Sequence, residues 1–134
     1  MIENYIEDII QDLTVCGIVS CYRILKLEVG EEYAFIRIKC VLSNSDILEF
    51  AQYTTIRKGK INTETYSYHW QTDDSRLRKR WDNVPHHKKI VSFPHHLHLP
   101  AQVVASNPMT LKMILADIEE SLGARRRDHN DKVI

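Results

Sequence analysis

Six of the seven histidines fall between His69 and His98, packed into a fraction of a 134-residue chain. The local strings are Tyr68-His69-Trp70, Arg80-Trp81-Asp82-Asn83, Pro85-His86-His87 and Phe93-Pro94-His95-His96-Leu97-His98. Imidazoles that crowd together compete for protons and partners, so packing alone does not favour such a cluster. With an ordinary pKa of about 6.5, histidine is the natural side chain for proton transfer near neutrality.

Two chemistries can use these residues. Cleavage of RNA without a metal needs a base for the 2′-hydroxyl, an acid for the leaving oxygen and a cation for the crowded phosphate. His69, His86, His87, His95, His96 and His98 form the pool of acids, bases and phosphate ligands. Arg80 supplies the positive charge, Asp82 orients an imidazole, and Tyr68 is a secondary candidate. Strand alternation puts Arg78, Arg80 and Asp82 on one face, opposite Leu77 and Trp81. The other chemistry is metal binding. His96 and His98 project to one side of an extended segment, and His86 or Asp82 can complete a site for a divalent ion such as zinc. Their spacing matches no zinc signature, and cysteine ligands are absent, so the expected site has no cofactor.

Plainer readings of the same residues exist. Trp70 and Trp81 suit a core better than a base-stacking platform. Asp82-Asn83 can be a turn that holds His86 or His87, and the prolines can stiffen a loop that packs its own imidazoles. Arg125 to Arg127 read as the solvated end of a helix, where positive charge suits the dipole.

The elements that must position these side chains follow from periodicity. Ile2, Tyr5, Ile6, Ile9, Ile10 and Leu13 recur at helical spacing, and the helix is expected to end near Gly17. Beyond Gly17 the period becomes two, with Val19, Cys21, Leu25 and Leu27 expected inward until the turn at Gly30. Ala34, Ile36, Ile38, Cys40 and Leu42 then alternate with Tyr33, Phe35, Arg37 and Lys39, the clearest strand. A third strand runs over about 47–57. A fourth, over about 62–70, has Tyr66, Tyr68 and Trp70 on one face and Thr65, Ser67 and His69 on the other. A short fifth covers 76–82. Short connections favour an antiparallel meander. The stretch 83–107 breaks the pattern and is expected to be irregular. Ser106-Asn107-Pro108 starts a last helix, carried by Met109, Leu111, Ile114, Leu115, Ile118 and Leu122 and stopped at Gly123. The prediction is an α+β domain over 1–123, with about five strands between two helices, and a basic tail over 124–134.

Composition bounds the rest. Hydrophobic residues make up 43% of the chain, enough for a core without disulfides. Lys+Arg and Asp+Glu both number 18, so net charge points to no class of partner. Cys16, Cys21 and Cys40 form no CxxC pair and are expected to be buried, reduced thiols. The start lacks a basic segment followed by an apolar one, and no apolar run is long enough to span a bilayer. A cytoplasmic protein with no membrane contact is expected.

Tyr68-His69-Trp70-Gln71, the run from Arg80 to His87 and Phe93-Pro94-His95-His96-Leu97-His98 resemble the signature of the TumE toxin family. After His98 the chain reads Leu99-Pro100-Ala101, where the family pattern turns acidic. The resemblance implies the toxin of a toxin–antitoxin pair, a ribonuclease-like inhibitor of growth neutralised by a protein antitoxin encoded by a neighbouring gene. RNA is the implied substrate. The alternatives are a metal-dependent hydrolase or nuclease built on the same histidines, and a non-catalytic binding or regulatory protein. The apolar terminal helices can also serve a homodimer.

Overall fold

A computed structural model describes residues 1–85 and 89–133, with side chains as far as Gly123. Ile2, Ile9 and Leu13 share the buried side of α1 (Ile2–Val15). Seven strands follow: β1 (Val19–Val29), β2 (Tyr33–Leu42), β3 (Ile47–Arg57), β4 (Lys60–Gln71), β5 (Leu77–Asp82), β6 (His96–Leu99) and β7 (Gln102–Ala105). The chain ends in α2 (Leu111–Val133). The strands form one sheet in chain order, every neighbour antiparallel. The fold class is therefore α+β, with a helix at each end of a meander.

Register decides which side chains meet, because paired residues point to the same face. Ile38, Phe50, Tyr68, Trp81, Leu97 and Val104 lie in one row across β2 to β7. The first four of these join Leu111, Ile114, Ile118 and the α1 side chains in a single core, with Trp70 beside them. Both helices thus cover this one face. Lys79 reaches Asp117 of α2 at 3.0 Å and ties β5 to the helix above it. Trp70 and Trp81 are each 2% exposed, which makes both core residues.

Sequence periodicity predicted five strands, and the sheet has seven. The added pair lies in the stretch expected to be irregular, as a hairpin whose two-residue connection is Pro100-Ala101. There the proline removes no ladder hydrogen bond. The strands of this hairpin are four residues each, too short to display a period above the surrounding prolines.

Three further expectations change. The inward set on β1 is shifted by irregularities after Val19 and Ile24, so Tyr22, Ile24, Leu27 and Val29 pair with the helix-side residues of β2. Even these stay substantially exposed, and Cys21 is exposed rather than buried; Cys16 is half-buried, Cys40 is buried, and all three are free. Gly123 does not stop α2, which continues to Val133. A side chain at Gly123 would touch nothing within 4 Å, so the glycine marks no turn or close approach and only weakens the helix locally. The side chains of Arg125 to Arg127 lie outside the described residues.

By contrast, the β3–β4 turn needs its glycine. Lys58 and Gly59 have φ of 51° and 74°, the left-handed pair that a two-residue hairpin requires.

Candidate functional site

Opposite the helices, the sheet carries a second set of rows. Lys39, Glu49, His69, Arg80 and His98 are aligned across β2 to β6. Beside them run Arg37, Ala51, Ser67, Asp82 and His96. Residues distant in sequence become neighbours because each strand adds one member to each row. Neighbouring strands lie roughly 4.8 Å apart, so His69 and His98 have backbones about 10 Å apart with Arg80 between them.

Asp82 is the anchor. Its side chain is 2% exposed, and Oδ1 lies 2.8 Å from Nε2 of His96 while Oδ2 lies 3.3 Å from Nε2 of His98. Oδ1 also accepts from the backbone N–H of Val84 at 3.1 Å. The Nδ1 of His96 faces the Pro94 carbonyl at 2.9 Å. A carbonyl can only accept, so this contact puts a proton on Nδ1 and fixes the ring. The rings of His96 and His98 meet edge to face, 4.8 Å between centroids. His96 is sealed at 3% exposure, whereas His98 keeps 27%. Of the two rings, that of His98 is the one open to solvent.

Arg80 stands at the edge of this cluster. Its Nε is 3.2 Å from Oδ2 of Asp82, an ion-pair distance. The angle is nevertheless too poor for a hydrogen bond, and among the described residues this Nε is the buried polar atom left without one. The two charges attract at this distance, but among the described residues the N–H meets no acceptor at a hydrogen-bonding angle. Beside it opens a cleft of about 440 Å³ lined by Arg37, Lys39, Glu49, Ser67, His69 and Arg80. The Nε2 of His69 lies 3.0 Å from the Gln71 side-chain oxygen, which orients that ring at the cleft wall. Glu49 offsets Arg37 at 3.2 Å, and Lys39 and Arg80 beside the imidazole of His69 leave the opening with a positive balance that suits an anion.

Other expected members are elsewhere. Tyr68 is on the helix side, 1% exposed, its hydroxyl accepting from Gln52 at 2.7 Å, and burial holds its phenol well above the usual range. His95 is also on the helix side, stacked on Tyr66, with its Nδ1 2.8 Å from the Tyr66 hydroxyl. Burial likewise raises the Tyr66 phenol. Arg78 leaves the face of Arg80 and Asp82, because the β4–β5 register shifts between Trp70 and Gln71. It pairs with the buried Asp46 at 2.9 Å, which also accepts from the Trp70 indole. His86 and His87 lie outside the described residues.

A family model described as Toxin TumE matches residues 6–122. The chain belongs to the TumE toxin family. No curated protein and no solved structure matches it. Membership in TumE gives a toxin role and with it an antitoxin partner. The matched span takes in all seven strands, so Asp82, Arg80, His69, His96 and His98 are all part of the TumE region. No helix among the described residues is long and apolar enough to cross a membrane.

Arg37, Lys39, Glu49 and Ser67 complete the cleft of this TumE protein, and none of them is among the site residues expected from the sequence. The signal was present in the alternation of the second strand, which sets Arg37 and Lys39 on the side away from Ile36 and Ile38. Only the register across β3, which brings them beside His69, gives that alternation a functional meaning.

Proposed function

We propose that this toxin cleaves RNA at the row His69–Arg80–His98. The alignment of two imidazoles on either side of a guanidinium, on the helix-free face of the sheet, is the observation that carries the reading. A phosphodiester seated on Arg80 has an imidazole on each flank. One takes the proton of the 2′-hydroxyl as its oxygen attacks phosphorus. The other gives a proton to the 5′-oxygen as the P–O5′ bond breaks, leaving a 2′,3′-cyclic phosphate and a 5′-hydroxyl. Arg80, whose Nε has no hydrogen-bond acceptor among the described residues, stabilises the added charge on the phosphate. Asp82 holds His98 and Arg80 in place, and His96 buttresses Asp82 from beneath.

A metal-dependent nuclease is the second reading, favoured by one observation. The donor atoms of Asp82, His96 and His98 lie within 4.8 Å of one another, and the Pro94 carbonyl fixes Nδ1 of His96 as an outer-shell partner does in metal sites. Against it, Arg80 already sits 3.2 Å from the carboxylate oxygen that a cation would need. A second positive charge there is repelled, so the metal-free reading is preferred.

Incubation of the purified protein with end-labelled single-stranded RNA in excess chelator tests both. Fragments ending in cyclic phosphate, and lost when the cut nucleotide is 2′-deoxy, are expected. Cleavage that stops with chelator and returns with zinc or manganese would favour the metal. RNA left intact under every condition, by protein that still arrests growth, would overturn the nuclease reading altogether.

A further inference from the structure

The sheet has two very different edges. β7 is four residues long and follows Pro100, a safe way to end a sheet. β1 is eleven residues long with no proline, and it is paired on one side alone. Its helix-side residues Tyr22, Ile24, Leu27 and Val29 are 37%, 42%, 43% and 45% exposed. A long apolar edge strand is a template for a further strand.

We infer that β1 pairs antiparallel with β1 of a second copy, with Tyr22 opposite Val29, Arg23 opposite Glu28 and Ile24 opposite Leu27. Three features of this strand select that occupant and that register. The first is the bulge. Two regular strands related by a twofold axis must place each residue opposite one of the same parity. The extra residue at Leu25, where the pairing passes from Ile24–Ile38 to Lys26–Arg37, moves the alternation by one. Tyr22 and Ile24 before it then share a face with Leu27 and Val29 after it, because they pair with Cys40, Ile38, Ile36 and Ala34. The twofold register across the bulge is therefore the one stated, and it keeps Tyr22, Arg23, Ile24, Leu27, Glu28 and Val29 each on its own face.

The second feature is apolar self-complementarity. On the helix side the two copies would join Tyr22 to Val29 and Ile24 to Leu27, twice each, which closes the exposed stripe into a continuous surface. Aromatic and β-branched cross-strand pairs of this kind stabilise antiparallel sheets.

Charge is the third. On the open face Arg23 stands opposite Lys39 of its own chain, a like-charge neighbour. The second copy would bring Glu28 against it, and the symmetric contact repeats the ion pair. An isologous interface needs this kind of self-match, since each copy offers the same surface to the other. The axis is perpendicular to the sheet, so both open faces would point to the same side of the joined sheet.

Sedimentation of the purified full chain tests the register. Wild type is expected to be a dimer. Arg23→Glu sets carboxylates against Glu28 twice, and Glu28→Arg sets guanidiniums against Arg23 twice. Each variant should weaken the dimer by about tenfold or more. Mixing the two variants, or combining both changes in one chain, restores opposite charges at both contacts and should restore the dimer. Such rescue is not expected from a variant that merely folds badly. A monomeric wild type, a dimer indifferent to both changes, or loss without rescue overturns the proposal. So does a monomer that binds its antitoxin one to one through an Arg23-sensitive edge, since β1 would then belong to the antitoxin.

Discussion

Asp82 and His96 face each other across the β5–β6 ladder with Oδ1 2.8 Å from Nε2. Neither side chain is more than 3% exposed. With the Pro94 carbonyl at Nδ1 and the carboxylate at Nε2, both ring nitrogens face acceptors and the ring is held from two sides. Removing the carboxylate leaves the buried polar groups around it without their acceptor, at a cost of about 1–3 kcal/mol. Asp82→Asn is therefore expected to lower the urea midpoint strongly and to abolish growth arrest. Asp46→Asn is the control, because Asp46 is buried and paired with Arg78 away from the cleft. It should be destabilised too, yet retain arrest at a temperature where it is folded. Equal loss of arrest in both folded variants would make Asp82 merely structural.

Arg80 gives the opposite pattern. Its side chain is 42% exposed, so its pairing with Asp82 adds little to folding, about 1 kcal/mol or less after solvent screening. Arg80→Ala should leave the thermal midpoint nearly unchanged and remove toxicity. Arg80→Lys keeps the charge without the planar fork and should restore only part of it. Full toxicity in Arg80→Ala, measured as colony counts after induction, would exclude the guanidinium from the chemistry.

The core makes a prediction about alkaline solution. Burial pushes the Cys40 thiol from 9.0 up to about 12. Because folding raises this value, its contribution is complete below pH 9 and drains away as pH climbs towards 12, where the unfolded chain ionises first. The displacement amounts to about 4 kcal/mol as an order of magnitude. The Tyr68 phenol, also raised by burial, adds to the loss above pH 10.0. Denaturation midpoints should fall steeply over that window and less so in Cys40→Ala. In the native protein the exposed Cys21 should react with a thiol reagent and Cys40 should not. Rapid modification of both would contradict this packing.

Much of this arrangement was legible in residue order. Alternation from Ala34 to Leu42 and from Tyr66 to Trp70 put the right side chains on the core face, and Lys58-Gly59 marked its turn. Alternation along β5 sets Arg80 and Asp82 on a shared face but wrongly adds Arg78, and the spacing of His96 and His98 turns both to one side of their own segment. What remained hidden was pairing. Four-residue strands around Pro100 carry too little period to register, so the partner row of β5 could not be read. Tyr68 and His95 each adjoin a site residue in the sequence, yet neighbouring side chains along extended backbone alternate, and both lie on the helix side. On β1 the bulges and the lack of a covering helix left apolar residues exposed, a tertiary outcome that local alternation cannot report.

Growth and RNA integrity after induction of His69→Ala, His98→Ala and His95→Ala test the central claim most directly. The two row variants are expected to slow RNA loss by at least about a hundredfold and to relieve arrest. His95→Ala, on the helix side, should arrest growth as wild type does. Undiminished RNA loss in folded His69→Ala and His98→Ala, or relief in His95→Ala alone, would contradict the account.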